Sequence, residues 1–364
     1  MAEEIFQKIE AEIDNPRKVV IFQFAPSLRV SIGEEFGYPP GTDLTGQLVA
    51  ALRKLGAKYV FDVSVGADFT TFEEAKEVAM RLEKNENLPV FTSCCPMWVK
   101  YVERFWPKLI LNLATARSPH IILGGFIKTY FAQKENLPVD KIVVVSVMPC
   151  LAKKEEILRP ELKIGGLVPV DLVLTTVETT QLFKKYQIDL KNINPETADN
   201  PLGISSGSGE FYGASGGVML AALRTLFENV SLPIPKIEFK ETERGIKEGQ
   251  VNFKGRIIKI AVIYGLDDAK NVLECLSQNS KLYDYIEVMA CPGGCIGGTG
   301  QPASKDSEIY AKRALGLLKT SQNKKIQSAQ NNPIVKEIYA QFLNNENNRT
   351  QITQTRYFDR SEEN

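Results

Sequence analysis

The chain has 364 residues, enough for two domains or one large α/β unit with a substantial buried core. Lysine plus arginine equals aspartate plus glutamate at 44 each, so no global field points to nucleic acid or an anionic membrane as partner. No apolar run approaches the length of a membrane span, and Glu3 and Glu4 stand where a signal peptide needs basic residues, so the expected location is the cytoplasm. Its reducing conditions make grouped cysteines metal ligands or catalytic thiols rather than disulfides, and a single histidine, His120, argues against a histidine-rich zinc or non-haem iron site.

Along the chain, short β-branched runs alternate with amphipathic helical patterns, which predicts an α/β fold with mostly parallel sheets and helical crossovers. A strand is expected at 19–24, then a helix at 46–55 stopped by Gly56, then a strand at 59–63. Thr71 and Glu74 have the spacing of a capping box and predict a helix start, with Val78 and Leu82 continuing one face toward Lys84. Further strands are expected at 142–147, 172–175, 257–263 and 285–289. From Ser321 onward the sequence is rich in asparagine, glutamine and lysine. That composition predicts a less tightly packed C-terminal extension over 321–364, with a helix near 334–343 and a disordered tip.

Five of the six cysteines fall in three loops punctuated by glycine and proline: Thr92-Ser93-Cys94-Cys95-Pro96-Met97-Trp98, Met148-Pro149-Cys150-Leu151-Ala152-Lys153-Lys154-Glu155-Glu156, and Met289-Ala290-Cys291-Pro292-Gly293-Gly294-Cys295, the last running on to Gln301-Pro302. Each loop begins where a candidate strand ends, and ligands in open α/β sheets gather outside the carboxyl ends of strands, so the three should converge on one crevice. A 4Fe–4S cluster needs four thiolates. Cys291, Cys295 and Cys150 supply three, and either Cys94 or Cys95 the fourth, since adjacent side chains on extended backbone point to opposite sides. One thiol is then spare for chemistry. A zinc tetrathiolate would explain four cysteines but not the Met-x-Cys and Lys-x-x-Glu surroundings. Cys275, outside the loops, reads as a buried structural thiol in a helix.

These three loops resemble, in order, the three signature motifs of the iron-iron (FeFe) hydrogenases. The likeness extends to Ala25-Pro26-Ser27-Leu28-Arg29-Val30, to Gly33-Glu34-Glu35-Phe36, to Gly213-Ala214-Ser215-Gly216-Gly217-Val218-Met219 and to the helix of Glu73 and Glu74, so it spans roughly residues 17–343. The resemblance implies a catalytic unit over 17–320 with two lobes, each built on a small sheet flanked by helices, and an H-cluster in the cleft between them. It further implies that residues 1–16 are a short segment without an accessory iron–sulfur domain.

The H-cluster so implied is a 4Fe–4S cubane joined to a two-iron subsite bearing carbon monoxide, cyanide and a bridging azadithiolate. By the same resemblance Cys95, Cys150, Cys291 and Cys295 ligate the cubane, with Cys295 the bridge. Lys153 donates to the cyanide on the distal iron, Pro26 and Ser27 hold other diatomic ligands, and Met148 and Met289 pack against the cluster. Cys94 exchanges protons with the two-iron unit, and Glu74 and Glu77 continue the relay, with Arg81 one turn on. On the residues alone, glutamates of an amphipathic helix read as solvated.

The sequence departs from the family pattern at Ala114, where a relay serine normally stands, with Thr115 beside it; at Met97, where glycine is common; at Thr299, within the final glycine run; and at His120, where glutamine is frequent. The expected activity is reversible hydrogen formation with electrons from a ferredoxin-type carrier and a subsite installed by maturation enzymes. The alternatives are a slow hydrogen sensor, favoured by Ala114, and an iron–sulfur scaffold, disfavoured by Lys153 and Cys295.

Overall fold

The computed structural model describes residues 2–242, 246–278, 282–306 and 308–362. Two sheets organise them. The first has four parallel strands in the order β2-β1-β4-β5, from β1 (Val19–Phe24), β2 (Tyr59–Asp62), β4 (Ile142–Met148) and β5 (Leu172–Thr175). Its strands read as continuous apolar runs because both faces are covered: every residue of β4 is buried. The switch in strand order falls between β1 and β4, so the segments leaving their carboxyl ends, Ala25-Pro26-Ser27 and Pro149-Cys150, share one crevice mouth.

The second sheet runs β3-β9-β8-β7-β6, from β3 (Val90–Phe91), β6 (Lys240–Glu241), β7 (Lys247–Phe253), β8 (Arg256–Tyr264) and β9 (Tyr285–Met289). The pairs β3–β9 and β9–β8 are parallel, whereas β7 and β6 add an antiparallel edge that the apolar pattern does not announce. The reason lies in β7: only Val251 and Phe253 are buried along it, as a strand next to the sheet edge with one wet face requires. Strand β8 separates two packed clusters, with Ile258, Ile260 and Val262 on one face and Ala261 and Ile263 on the other.

Helix α1 (Ala2–Ile13) precedes β1, and α2 (Thr45–Leu55) ends at Gly56, whose φ of 120° and approach to Ile13 leave no room for a side chain: a Cβ there would lie 2.4 Å from Ile13 Cγ2. The capping-box start at Thr71 does not occur. Helix α3 (Val63–Lys84) starts eight residues earlier, directly off β2, and its N-cap is Asp62, which accepts from Ser64 N at 2.9 Å. Thr71 and Glu74 are interior to this 22-residue helix and buried, so their spacing is coincidental. Helices α4 (Pro96–Phe105) and α5 (Pro119–Phe126) follow the first cysteine loop; α5 approaches α3 so closely that a Cβ on Gly66 would sit 2.2 Å from Pro119 O.

The C-terminal extension is not loosely packed. A helix forms at Pro333–Gln341, and Ile334, Val335, Ile338, Leu343 and Ile352 all join the core beneath the first sheet, so apolar spacing overrides the polar average composition. The last two residues, 363–364, on which the expectation of a disordered tip falls, lie outside the described residues. Cys275 is on the expected helix, Leu266–Gln278, but is half-buried rather than buried.

Candidate metal centre

The carboxyl ends of both sheets face one cavity of about 70 Å³. Ala25, Pro26 and Ser27 enter its wall after β1, Val63 and Ala67 from α3, Cys94 and Cys95 after β3, Met148 at the end of β4, and Cys150 and Lys153 after it. Met289 closes β9, and Cys291 and Cys295 follow it. All three cysteine loops therefore meet, and every sequence-derived site residue except Glu74 and Glu77 lines this space. Among the described residues no three His, Cys, Asp or Glu side chains converge as a single ion would need, so the thiols surround a volume rather than a point.

Local geometry explains the convergence. Gly293 and Gly294 take positive φ of 71° and 88°, turning the chain so that Gly294 N reaches Cys291 O at 3.0 Å. Gly298 then abuts the second loop, where a Cβ would be 2.3 Å from Pro149 O, and Gly300 N donates to that same oxygen at 2.8 Å. Thr299, the departure within this glycine run, accepts from Leu151 N at 3.2 Å and so ties the same two loops together. The first loop is fixed to β9 by Thr92, whose backbone donates to Ile286 O and whose hydroxyl accepts from Val288 N. Glu287 caps the helix Gly217–Glu228 by accepting from Gly216 N and Met219 N, which pulls the Gly213 segment against the cavity.

The donor set suits a soft iron–sulfur group. Burial raises the Cys94, Cys95 and Cys295 thiols, and pushes Cys291 up to about 11, with the neighbouring thiols adding repulsion. Such a crowd of thiols becomes thiolate only around a compensating cationic centre. The hydroxyl of Ser27, fully buried in the wall, has no hydrogen-bond partner among the described residues, which leaves it available to a bound group. Lys153 is buried too, and its ammonium donates to Cys94 O at 3.1 Å and to Glu156 Oε2 at 2.7 Å. Burial works against its charge, but Glu156 beneath it outweighs that and raises its pKa.

Sequence reasoning quoted Glu156 within a motif without giving it a role. The structure makes it the foot of Lys153, and His120 Nε2 meets the same carboxylate oxygen at 2.6 Å. His120 is fully buried, its other nitrogen 3.2 Å from Ser146 Oγ, so the residue at a glutamine position braces the lysine's counter-charge. Burial, then Lys153, depress its pKa. Arg29 is the second role missed: its Nε donates to Pro26 O at 3.0 Å while its guanidinium pairs with Asp62 and Glu210, all of them buried.

Glu74 and Glu77 sit on α3 behind Cys94. Glu74 is fully buried and accepts from Tyr285 Oη at 2.6 Å; burial, reinforced by Glu77 and Glu287, pushes it up to about 8. Glu77 is ion-paired to Arg81 and accepts from Thr115 N at 2.7 Å and Thr115 Oγ1 at 2.8 Å. Ala114 is completely buried and offers no hydroxyl.

This architecture defines an iron–sulfur cluster protein with a thiol-lined crevice between two sheets. The sequence profile described as "Iron only hydrogenase large subunit, C-terminal domain" matches residues 18–299, and that described as "Iron hydrogenase small subunit" matches 307–360. The chain belongs to the iron-only, or [FeFe], hydrogenase family. It is 41% identical to the NADP-reducing hydrogenase subunit HndD of Solidesulfovibrio fructosivorans over 98% of its own length, and spans 63% of that protein. It is 32% identical to the cytosolic iron-sulfur assembly component 3 of Mus musculus, over 91% of this chain and 72% of the relative. A solved structure of HydA(deltaEFG), described as revealing stepwise [FeFe]-hydrogenase H-cluster assembly, matches with a TM-score of 0.87 at 33% identity, over 97% of this chain and 98% of that one. No described helix is long and apolar enough to cross a membrane.

Proposed function

We propose that this chain is a hydrogenase that interconverts two protons and two electrons with molecular hydrogen at an H-cluster held in the thiol-lined cavity. Cys95, Cys150, Cys291 and Cys295 would hold the cubane, with Cys295 also serving the two-iron unit, whose carbon monoxide, cyanide and azadithiolate ligands would be installed by maturation enzymes. When bound, that group supplies the redox chemistry and the reacting site. The protein's part is placement and proton handling. Lys153, charged and braced by Glu156, presents a donor to cyanide; Pro26 and the unpartnered Ser27 hydroxyl face the remaining ligands; Met148 and Met289 fill the apolar wall. Cys94 takes and returns protons at the cavity, and Glu74 with Glu77 passes them outward along α3. Electrons come from a ferredoxin-type carrier in the cytoplasm of an anaerobic cell.

The observation that carries this reading is the joint presence, around one cavity, of four thiols for a cubane and of a fifth thiol, a buried lysine and an orphaned serine hydroxyl that a cubane alone does not use. The similarity to an iron–sulfur assembly component favours a second reading, a scaffold that carries the cubane without the two-iron unit. Hydrogen evolved from a reduced one-electron dye, after anaerobic loading with a two-iron complex, separates them. Turnover supports the hydrogenase, and a cubane-loaded protein that evolves nothing supports the scaffold. Bound two-iron unit with slow turnover would instead mark a hydrogen sensor limited at Ala114.

A further inference from the structure

Among the carboxylates of α3, Glu73, Glu74 and Glu77 each have a different partner. Glu73 is held by Arg349, and Glu77 by Arg81 and Thr115. Glu74 forms no ion pair among the described residues. Its Oε1 accepts from Tyr285 Oη across the junction of α3 with β9, at 2.6 Å, and its buried Oε2 has no partner among the described residues. A neutral carboxyl has one oxygen that accepts and one that bears the proton. Burial, with Glu77 and Glu287 opposing a further negative charge and the Tyr285 hydrogen bond and then Arg81 only partly offsetting them, pushes Glu74 up to about 8, so its protonated form predominates at pH 7. Tyr285 in turn stays an O–H donor, because burial and Glu74 hold its pKa well above the ordinary value. A phenol that donates to Oε1 makes that oxygen the carbonyl. The exchangeable proton then belongs to Oε2, the oxygen with no partner among the described residues.

The same contact bears on residue 114. Ala114 packs in one apolar cluster with Ala75, Val78 and Tyr285 and supplies no hydroxyl itself, and the hydroxyl that reaches Glu74 comes from the strand. We propose that Tyr285 is a positioning residue for the inner proton carrier: its hydroxyl pins Glu74 Oε1 as acceptor and thereby assigns the transferable proton to Oε2. The proposal rests on the reading of Glu74 as a proton carrier, and its structural half can be tested without the cofactor.

Tyr285→Phe keeps the ring and removes the donor. In cofactor-free protein the Glu74 carboxyl stretch, assigned by its loss in Glu74→Gln, should move to higher wavenumber, because a carbonyl relieved of a hydrogen bond stiffens. In loaded protein hydrogen formation should slow about tenfold, the effect of one hydrogen bond, with a larger solvent isotope effect and unchanged carbon monoxide and cyanide bands. A carboxyl band that does not move overturns the proposal, and so does a band shift with an unaltered rate and isotope effect. If Tyr285→Phe fails to fold, difluorotyrosine at 285, a stronger donor of the same shape, must lower the carboxyl band, and no movement overturns the pinning. Absence of hydrogen from loaded wild type would strike the proton-carrier reading and with it the role proposed for Tyr285, while leaving the band shift as the measure of the contact itself.

Discussion

Replacing Arg29 by methionine should unlatch the cavity wall and expose the electrostatic cost hidden beneath it. The Arg29 side chain is 0% exposed, and it faces Asp62 at 4% and Glu210 at 0% while its Nε holds Pro26 O. Methionine matches the length but leaves two buried carboxylates whose remaining cation among the described residues is Lys324, 2.5 Å from Glu210. Breaking a buried pair from one side costs about 3–5 kcal/mol. An unfolding entropy of about 2.1 cal/mol/K per residue over 364 residues is ~0.8 kcal/mol/K, so the melting temperature should fall by about 4–6 °C. In the wild type, burial would raise Asp62 but Arg29 outweighs it and lowers its pKa, whereas burial keeps Glu210 raised. Without Arg29 both carboxyls sit above their unfolded values of about 4, so the folded state binds more protons than the unfolded one just above that pH. The variant's stability is therefore greatest below that window and falls as pH rises through it. The assay is thermal unfolding of cofactor-free protein, followed by near-ultraviolet circular dichroism at pH 7.5 and pH 5. A drop below about 1 °C at pH 7.5, or a deficit that widens toward pH 5, would refute the reasoning.

Cys94→Ala should leave the cubane's iron content and absorption intact while hydrogen formation drops about 10²–10⁴-fold, the range for losing a positioned proton donor; lost iron would instead make Cys94 a ligand. Glu156→Gln strands the Lys153 ammonium and should cost about 3 kcal/mol, or ~4 °C in a melt of cofactor-free protein, whereas an unchanged midpoint would mean that Lys153 does not depend on Glu156.

The centre was legible in the sequence to an unusual degree because its chemistry is local. Glycine and proline punctuate each cysteine loop at a strand end, and topology alone then brings those ends together at the β1/β4 switch and beside β9. Departures read along the chain also found explanations in space: Thr299 ties two loops, and His120 braces Glu156. What stayed hidden was long-range. Glu156 and Arg29 act by ion pairs that no spacing encodes, although both stand inside quoted motifs. Tyr285 reaches Glu74 across 211 positions of sequence. The capping-box spacing at Thr71 misled because tertiary burial carries α3 straight off β2, with Asp62 as its cap. The polar composition after Ser321 misled likewise, since a few apolar positions suffice to dock a helix.

Infrared spectroscopy of the anaerobically reconstituted protein, loaded with a two-iron carbonyl cyanide complex and freed of excess complex, tests the central claim most directly. Protein-bound carbon monoxide and cyanide bands should appear in wild type, with the cyanide bands shifted in Lys153→Ala where the donor is gone. A protein that carries a spectroscopically intact cubane yet retains no such bands would contradict the hydrogenase assignment and leave an iron–sulfur scaffold in its place.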